Sequence, residues 1–269
     1  MPLLAEGRTT IMGIINATPD SFSDGGLFLS LDKAVDHAAS LIEDGADMLD
    51  LGGESTRPGA TAVTLQQELD RVIPVIEALS QRFATPVSID TSKPDVMRHA
   101  VAAGAVMIND VRALREEGAL EAACDCSVPV CLMHMLGAPR TMQDSPEYDD
   151  VVIDVRSFLA DRTKACTDAG IPADRLILDP GFGFGKTREQ NFALLNHLEE
   201  LRVLGLPILV GLSRKSMIGQ TLDLPVDKRQ HASVGLALMA IWNGANIVRV
   251  HDVKATSDAV RMVEAVRKH

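Results

Sequence analysis

Short apolar runs, each ending in a polar residue and followed by a segment of helical period, recur along the whole chain. They fall at 10–16 (TIMGIIN), 47–52 (DMLDLG), 86–91 (PVSIDT), 105–110 (AVMIND), 129–134 (PVCLMH), 175–179 (RLILD), 207–212 (PILVGL) and 246–251 (NIVRVH). These runs are apolar on both faces, the pattern of parallel strands covered by helices. Between the first two, Leu31, Ala34, Val35, Ala38, Leu41 and Ile42 follow the i, i+3, i+4, i+7 spacing of one helical face. That spacing predicts a helix over 31–44, with Ser30 as N-cap and Gly45 as its stop. Thr64 and Gln67 have the spacing of a capping box before a periodic run to Phe83, which Pro74 should bend. Ser92 is placed to cap 93–103, and Gly104 to end it. Further helices are predicted over 148–169, 188–204, 228–243 and 254–267.

Eight strand–helix units in a chain of 269 residues indicate an α/β fold of the (β/α)8 TIM-barrel type, one domain spanning 1–269. The alternative is an open doubly wound sheet, which usually needs fewer strands. In a barrel, active residues gather at the C-terminal ends of the strands. Those ends carry the unusual polar residues: Asn16, Asp50, Asp90, Asn109, His134, Asp179, Arg249 and His251.

The formal net charge of −11 disfavours a nucleic acid or an anionic membrane face as partner. A small anionic ligand would need a local basic cluster. Cys124, Cys126, Cys131 and Cys166 contain no C-x-x-C pair and read as reduced thiols. The first residues lack a basic region followed by a long apolar run, and no apolar stretch approaches membrane-spanning length. These features point to a cytoplasmic protein.

The stretch LILDPGFGFGKT, 176–187, resembles a phosphate-binding loop at first sight. However, Pro180 stands where a P-loop needs its first glycine, and Lys186 follows Gly185 where a dinucleotide fingerprint fails. The stretch reads instead as Asp179 at a strand end, followed by a glycine-rich turn that permits close approach. Phe182 and Phe184 would project from it as flat apolar surfaces. Asn16 is a neutral oxygen ligand at the start of a polar loop, 14–26, whose Thr18, Asp20 and Phe22 suit a lid. In 50–60, Ser55 and Thr56 offer hydroxyls and Arg57 a fork for phosphate or carboxylate.

Asp90, Asn109 and Asp179 present acceptor-rich edges suited to a flat, amino-substituted heterocycle. Ser213, Arg214 and Lys215 follow the seventh strand, where barrels often bind phosphate. One of the two basic residues is expected to be only a solvated helix start. Arg249 and His251, two residues apart, share one side of their strand. Zinc spacings, H-E-x-x-H and G-x-S-x-G are missing from the sequence, so catalysis by positioning and charge is expected.

Together these segments resemble dihydropteroate synthases of the folate pathway, over about residues 10–260. NATPDSFSDGG, GGESTRPGA, DTSKP, INDV, the run from His134 to Gln143, DPGFGFGKT, LSRKSMIG and RVHD match the family's motifs in order. Ala138 stands where a hydroxyl residue is expected, and RQHASVG at 229–235 is slightly unusual. The resemblance implies condensation of 6-hydroxymethyl-7,8-dihydropterin pyrophosphate with 4-aminobenzoate by a cytoplasmic homodimer of a kind that sulfonamides target. By that similarity Asp90, Asn109, Asp179 and Lys215 hold the pterin, and Asn16 helps hold Mg²⁺ with the pyrophosphate. Arg249 and His251 grip the pyrophosphate, and Thr56 and Arg57 contact the substrates. Ser213 receives the aminobenzoate carboxylate, and Phe22, Pro58 and Phe184 wall its ring. Two alternatives stay open. One is a pterin-binding methyltransferase barrel, which has no use for a pyrophosphate grip; the other is an inactive paralogue serving as a scaffold.

Overall fold

The structure is a computed structural model; it describes residues 4, 8–17, 26–55, 62–137 and 146–267, with the backbone alone at 26–30. Eight parallel strands follow one another around a ring: β1 (Thr10–Asn16), β2 (Met48–Gly52), β3 (Val87–Asp90), β4 (Met107–Asp110), β5 (Val130–Met133), β6 (Leu176–Asp179), β7 (Leu209–Val210) and β8 (Ile247–Val250). Each pairs with the next, and β8 returns to pair with β1. Between β6 and β7 the seam is a single bridge, Leu178 to Ile208, with the Leu178 amide donating to the Pro207 carbonyl at 2.9 Å. The barrel is therefore nearly closed, and its shortest strand lies at the seam.

The helices are α1 (Gly26–Glu43), α2 (Leu65–Arg82), α3 (Pro94–Ala102), α4 (Ala119–Cys126), α5 (Val151–Asp168), α6 (Arg188–Asn196), α7 (Ser216–Leu222), α8 (Gln230–Trp242) and α9 (Val253–Arg267). The Thr64–Gln67 capping box forms as the sequence predicts, and α2 continues through Pro74. Two expected caps are corrected. Ser30 lies inside α1 and does not precede it. The Ser92 hydroxyl donates to Asp110, and Lys93 takes the N-cap position before Pro94, without a side-chain capping bond. The span 188–204 divides into α6 and a 3-10 turn, Leu198–Leu204. α4 and α7 are additional to the helices that the sequence predicts; both are short and start without a side-chain cap.

Residues two apart along a strand share a face, and this period builds the barrel interior in layers. Met12, Met48, Met107, Cys131, Ile177, Leu209 and Ile247 form one buried apolar layer inside the ring. Two residues further on along four of these strands come Asp50 after Met48, Asn109 after Met107, Asp179 after Ile177 and Arg249 after Ile247. The apolar layer is thus a floor, and the polar residues above it line the C-terminal mouth. The outer strand faces, with Ile11, Ile15, Leu49, Leu51, Ile89, Ile108 and Leu178, pack into the main core shared with the helices.

Candidate active site

At the mouth, Arg249 of β8 joins two strands on the opposite chain half. Its Nε donates to Asp50 Oδ2 at 2.5 Å and its Nη2 to Asp90 Oδ2 at 2.9 Å. Asn109 Nδ2 also donates to Asp50 Oδ2, at 3.1 Å. Asp50, Asp90, Asn109 and Asp179 are all buried. Asp50 Oδ1 and Asp90 Oδ1 are buried as well, and neither has a hydrogen-bond partner among the described residues. Buried acceptors are seldom left unpaired, so these two oxygens mark where a donor-bearing ligand would sit.

The electrostatics follow from two carboxylates sharing one guanidinium. Burial raises the Asp90 pKa, Arg249 opposes the rise, and Asp50, Asp110 and Glu68 add to it. Burial works against the Arg249 charge, but Asp50 and Asp90 more than offset it, so the guanidinium holds its proton more tightly than usual. Asp179 is likewise raised by burial and pulled back by Lys215, the Gly181 amide, Lys186 and Arg249. Its Oδ1 accepts from Gly181 N at 2.7 Å.

Lys215, the N-cap residue of α7, donates to the Phe182 carbonyl, and its Nζ lies 4.6 Å from the centroid of the Phe184 ring. Burial brings its pKa down to about 8, with Asp179 opposing and Arg249 adding to the fall. Phe184 packs on Val111, Met133 and Met135, a small apolar cluster at the mouth. Phe182 is different from the sequence expectation: it is wholly buried in the main core and offers no surface to a ligand. Alternation along the turn sends one phenyl inward and the other to the mouth.

Ser213 and His251 meet beside this cluster, with Ser213 Oγ 3.0 Å from His251 Nδ1 and accepting from His251 N at 3.2 Å. Arg214 is not a solvated helix start. It forms a two-pronged ion pair with Asp252, Nε to Oδ2 at 3.0 Å and Nη2 to Oδ1 at 2.6 Å, which ties the loop after β7 to the end of β8. Its φ of +59° is the left-handed value that this turn requires.

The structure therefore brings Asp90, Asn109, Asp179, Ser213, Lys215, Arg249, His251 and Phe184 to one end of the barrel. Asn16 ends β1 at the same rim and is partly exposed. Thr18, Asp20, Phe22, Thr56, Arg57, Pro58 and Ala138 lie outside the described residues, as does most of the lid reading. From the sequence, Asp50 and His134 stand out only as strand-end residues, and Lys186 has no expected role. Asp50 could have been found from its period-two spacing above Met48; Lys186 had no such signal.

A second charged group sits at the base of the 50–60 segment. Lys93 Nζ bridges Glu54 and Glu68, the latter at 2.5 Å, and Glu68 is only 1% exposed. Glu54 Oε1 accepts from Val63 N at 3.3 Å, and Arg71 Nη1 donates to the Gly53 carbonyl at 2.8 Å.

For magnesium, the donor set is informative. Among the described residues no cluster of three or more His, Cys, Asp or Glu could hold a metal. Mg²⁺ commonly keeps several waters and binds through one or two protein oxygens plus substrate phosphates. A single rim amide such as Asn16 fits an ion that arrives with a diphosphate, and does not fit a resident protein cage.

Comparison with known proteins shows the family to which this chain belongs. The sequence profile of a family described as pterin binding enzyme matches residues 12–251. The dihydropteroate synthase of Escherichia coli (strain K12) is 52% identical over 271 residues, covering 98% of this chain and 96% of the relative. Among solved structures, the Yersinia pestis dihydropteroate synthase in a sulfonamide drug complex superposes with a TM-score of 0.95 at 53% identity, over 99% of this chain and 97% of that one. The Xanthomonas albilineans dihydropteroate synthase in complex with 7,8-dihydropteroate gives 0.89 at 51% identity, over 97% and 94% of the two chains.

Proposed function

The chain belongs to the pterin-binding enzyme family, among the dihydropteroate synthases, which are transferases, and on that premise we propose how its own residues carry out the condensation. The substrates are 6-hydroxymethyl-7,8-dihydropterin pyrophosphate and 4-aminobenzoate, and the products 7,8-dihydropteroate and pyrophosphate. The observation that carries the reading is the pair of buried oxygens, Asp50 Oδ1 and Asp90 Oδ1, without a hydrogen-bond partner among the described residues, beside Asn109 and above an apolar floor. An aminopyrimidine edge offers the N–H groups that such acceptors lack. Asp90, Asn109 and Asp179 hold the pterin edge, and Lys215 and Arg249 lie along it.

The reaction breaks the bond from the pterin methylene carbon to the pyrophosphate oxygen and forms one from that carbon to the aminobenzoate nitrogen. The electron pair leaves with pyrophosphate, and the electron-rich pterin ring stabilises the positive charge left on the methylene. The neutral aromatic amine then attacks, and its extra proton passes to solvent or to pyrophosphate. Arg249 keeps its Nη1 uncommitted among the described residues while Nε and Nη2 anchor to Asp50 and Asp90; this suits a fixed cation facing a diphosphate. His251, set beside Ser213, adds a second donor for that group or leaves Ser213 to meet the aminobenzoate carboxylate. Phe184 supplies one wall for the ring. By family resemblance Phe22, Arg57 and Pro58 complete that side, and Thr56 contacts the pterin pyrophosphate. Bound Mg²⁺ would neutralise the leaving diphosphate, with Asn16 as its protein ligand.

Two further expectations rest on the surface. No helix among the described residues is long and apolar enough to cross a membrane, and all four cysteines are free thiols; a cytoplasmic location fits both. A homodimer is supported by α8, whose outward face carries Met239 and Trp242, the latter 66% exposed and stacked under Arg267. A helix apolar on all sides usually has a cover, and a second copy is the occupant we propose.

The test is to mix purified protein, Mg²⁺, the dihydropterin pyrophosphate and 4-aminobenzoate. Dihydropteroate should form, and chelation of the metal should suppress it. Absence of product with all components present would sink the reading. It would also favour the scaffold alternative if pterin still binds.

A further inference from the structure

Gly181, Gly183 and Gly185 all adopt left-handed φ values, +68°, +78° and +63°. The turn they shape does not open toward a phosphate; it wraps around a lysine. Lys186 Nζ donates to the Gly181 carbonyl at 2.9 Å and the Phe184 carbonyl at 3.1 Å, and lies 2.9 Å from Nδ1 of His134. Lys186 is buried, and so is His134. An ammonium has three protons, and here there are three acceptors for them, provided His134 carries its proton on Nε2. The glycines are needed for the wrapping: a Cβ at Gly181 would lie 1.8 Å from the His134 carbonyl oxygen, and one at Gly185 within 2.9 Å of the Leu136 carbonyl oxygen.

The rest of the turn is tied down just as closely. Gly183 N donates to Asn191 Oδ1 at 2.7 Å, and Tyr148 Oη donates to the Gly185 carbonyl at 2.7 Å. Gly181 N is the donor held by Asp179, so the lysine and the candidate pterin carboxylate grip the same residue from its two sides.

We propose that Lys186 is a positioning residue for the pterin pocket: its ammonium, seated on three acceptors inside the turn after β6, fixes that turn and keeps the Asp179 carboxylate ionised as an acceptor. The inference rests on the pterin-binding reading and deepens it. The charged and titratable groups facing Asp179 are Lys186 from its own loop, Lys215 from the loop after β7, Arg249 from β8 and the Cys131 thiol from β5. His134, from the end of β5, faces Lys186, with Arg115 behind it; burial and these two cations push the His134 pKa down to about 2, so the ring is neutral. Burial pushes the Lys186 pKa well below the ordinary lysine value, Asp179 opposes the fall and Lys215 adds to it; the three acceptors seated around Nζ are what favour the ammonium. A neutral amine would meet the same three groups with two donors and one acceptor, and would lend Asp179 no charge.

The experiment follows binding of 6-hydroxymethylpterin to the full-length protein by calorimetry as pH falls. Wild type, Lys186→Met, His134→Leu and His134→Gln are compared. Asp90 titrates with its Arg249 partner in all four, so the reading is the difference between them. In Lys186→Met the loss of affinity on the acid side should begin at higher pH, by about one unit, a tenfold weaker affinity at a given pH on that limb. His134→Leu, which removes one acceptor, should move the limb the same way, and His134→Gln, which returns an oxygen acceptor, should restore it. If Lys186→Met does not fold, the His134 pair carries the test alone. A limb that stays in place in Lys186→Met, whatever the change in overall affinity, would make the lysine a brace only and overturn the proposal. So would His134 variants that behave alike. Wild-type protein that binds no pterin at any pH overturns the functional reading instead, and this one with it.

Discussion

Arg249 donates from Nε to Oδ2 of Asp50 at 2.5 Å, across 199 positions of sequence. That bond joins the last strand of the barrel to the second and neutralises one of two adjacent buried carboxylates. Removing the cation should therefore be costly. Arg249→Met leaves Asp50 and Asp90 facing each other without a counter-charge, and breaking a buried pair from one side costs roughly 3–5 kcal/mol. Burial and its carboxylate neighbours already raise the Asp90 pKa, and Arg249 opposes that rise, so without the cation the Asp90 pKa would stand further above its unfolded value. The penalty is then absent at acid pH and grows as pH rises. Urea melts should show a larger deficit at pH 8 than at pH 5, and an equal deficit at both would contradict this charge assignment.

Asp90→Asn keeps the shape and removes the anion. It should weaken pterin binding by about 10- to 100-fold, as expected for a charged hydrogen bond of roughly 1.5–3 kcal/mol, with the fold intact. Calorimetry with a pterin ligand checks this; unchanged affinity would remove Asp90 from the pocket.

Lys215 has a folded-state pKa near 8, below the ordinary lysine value because it is buried. Its positive form is present below that pH. We expect kcat/KM for the pterin substrate to decline as pH rises through about 8, since that ratio reports groups of the free enzyme. Lys215→Arg stays charged throughout and should lose the basic limb even if its rate is lower. A limb that persists in the arginine variant belongs to another group. For stability the sign is opposite: the depressed pKa costs stability below about 8, and the cost fades as pH climbs toward the unfolded lysine value.

Lys93 is the sole cation hydrogen-bonded to buried Glu68 among the described residues. Lys93→Met should destabilise the protein by about 3 kcal/mol, the scale of a buried charge left unpaired, discounted for the partial exposure of Lys93. Lys93→Met with Glu68→Gln should recover most of that loss, because no buried charge remains. Thermal melts of the two single variants and the double variant give the coupling; additive losses would show that the bridge is energetically idle.

The sequence by itself determined the architecture. Eight apolar runs without alternation required strands covered on both faces, and all eight are present, differing only by a few residues at their ends. The strand-end positions of Asp90, Asn109, Asp179 and Arg249 were also legible, because a period of two places them on the inner face, above Ser88, Met107, Ile177 and Ile247. Capping at Thr64 was legible because it is a contact within four residues. Local patterns failed where the element was short or the signal ambiguous: α4 and α7 have no capping side chain, and Ser92 chose Asp110 over its own helix.

What only the tertiary structure decided was pairing. Asp50 could be seen at a strand end, but its bond to Arg249 exists only because the eighth strand closes on the first. Phe182 and Phe184 are equivalent in sequence, and the turn alone sends one into the core and the other to the mouth. Lys186 looked like a failed phosphate-loop lysine until the glycines were seen to fold around it. Periodicity along a chain encodes which side of an element is buried. Which distant charge meets which is set by ring closure and by burial, where an unpaired ion is too expensive to leave alone.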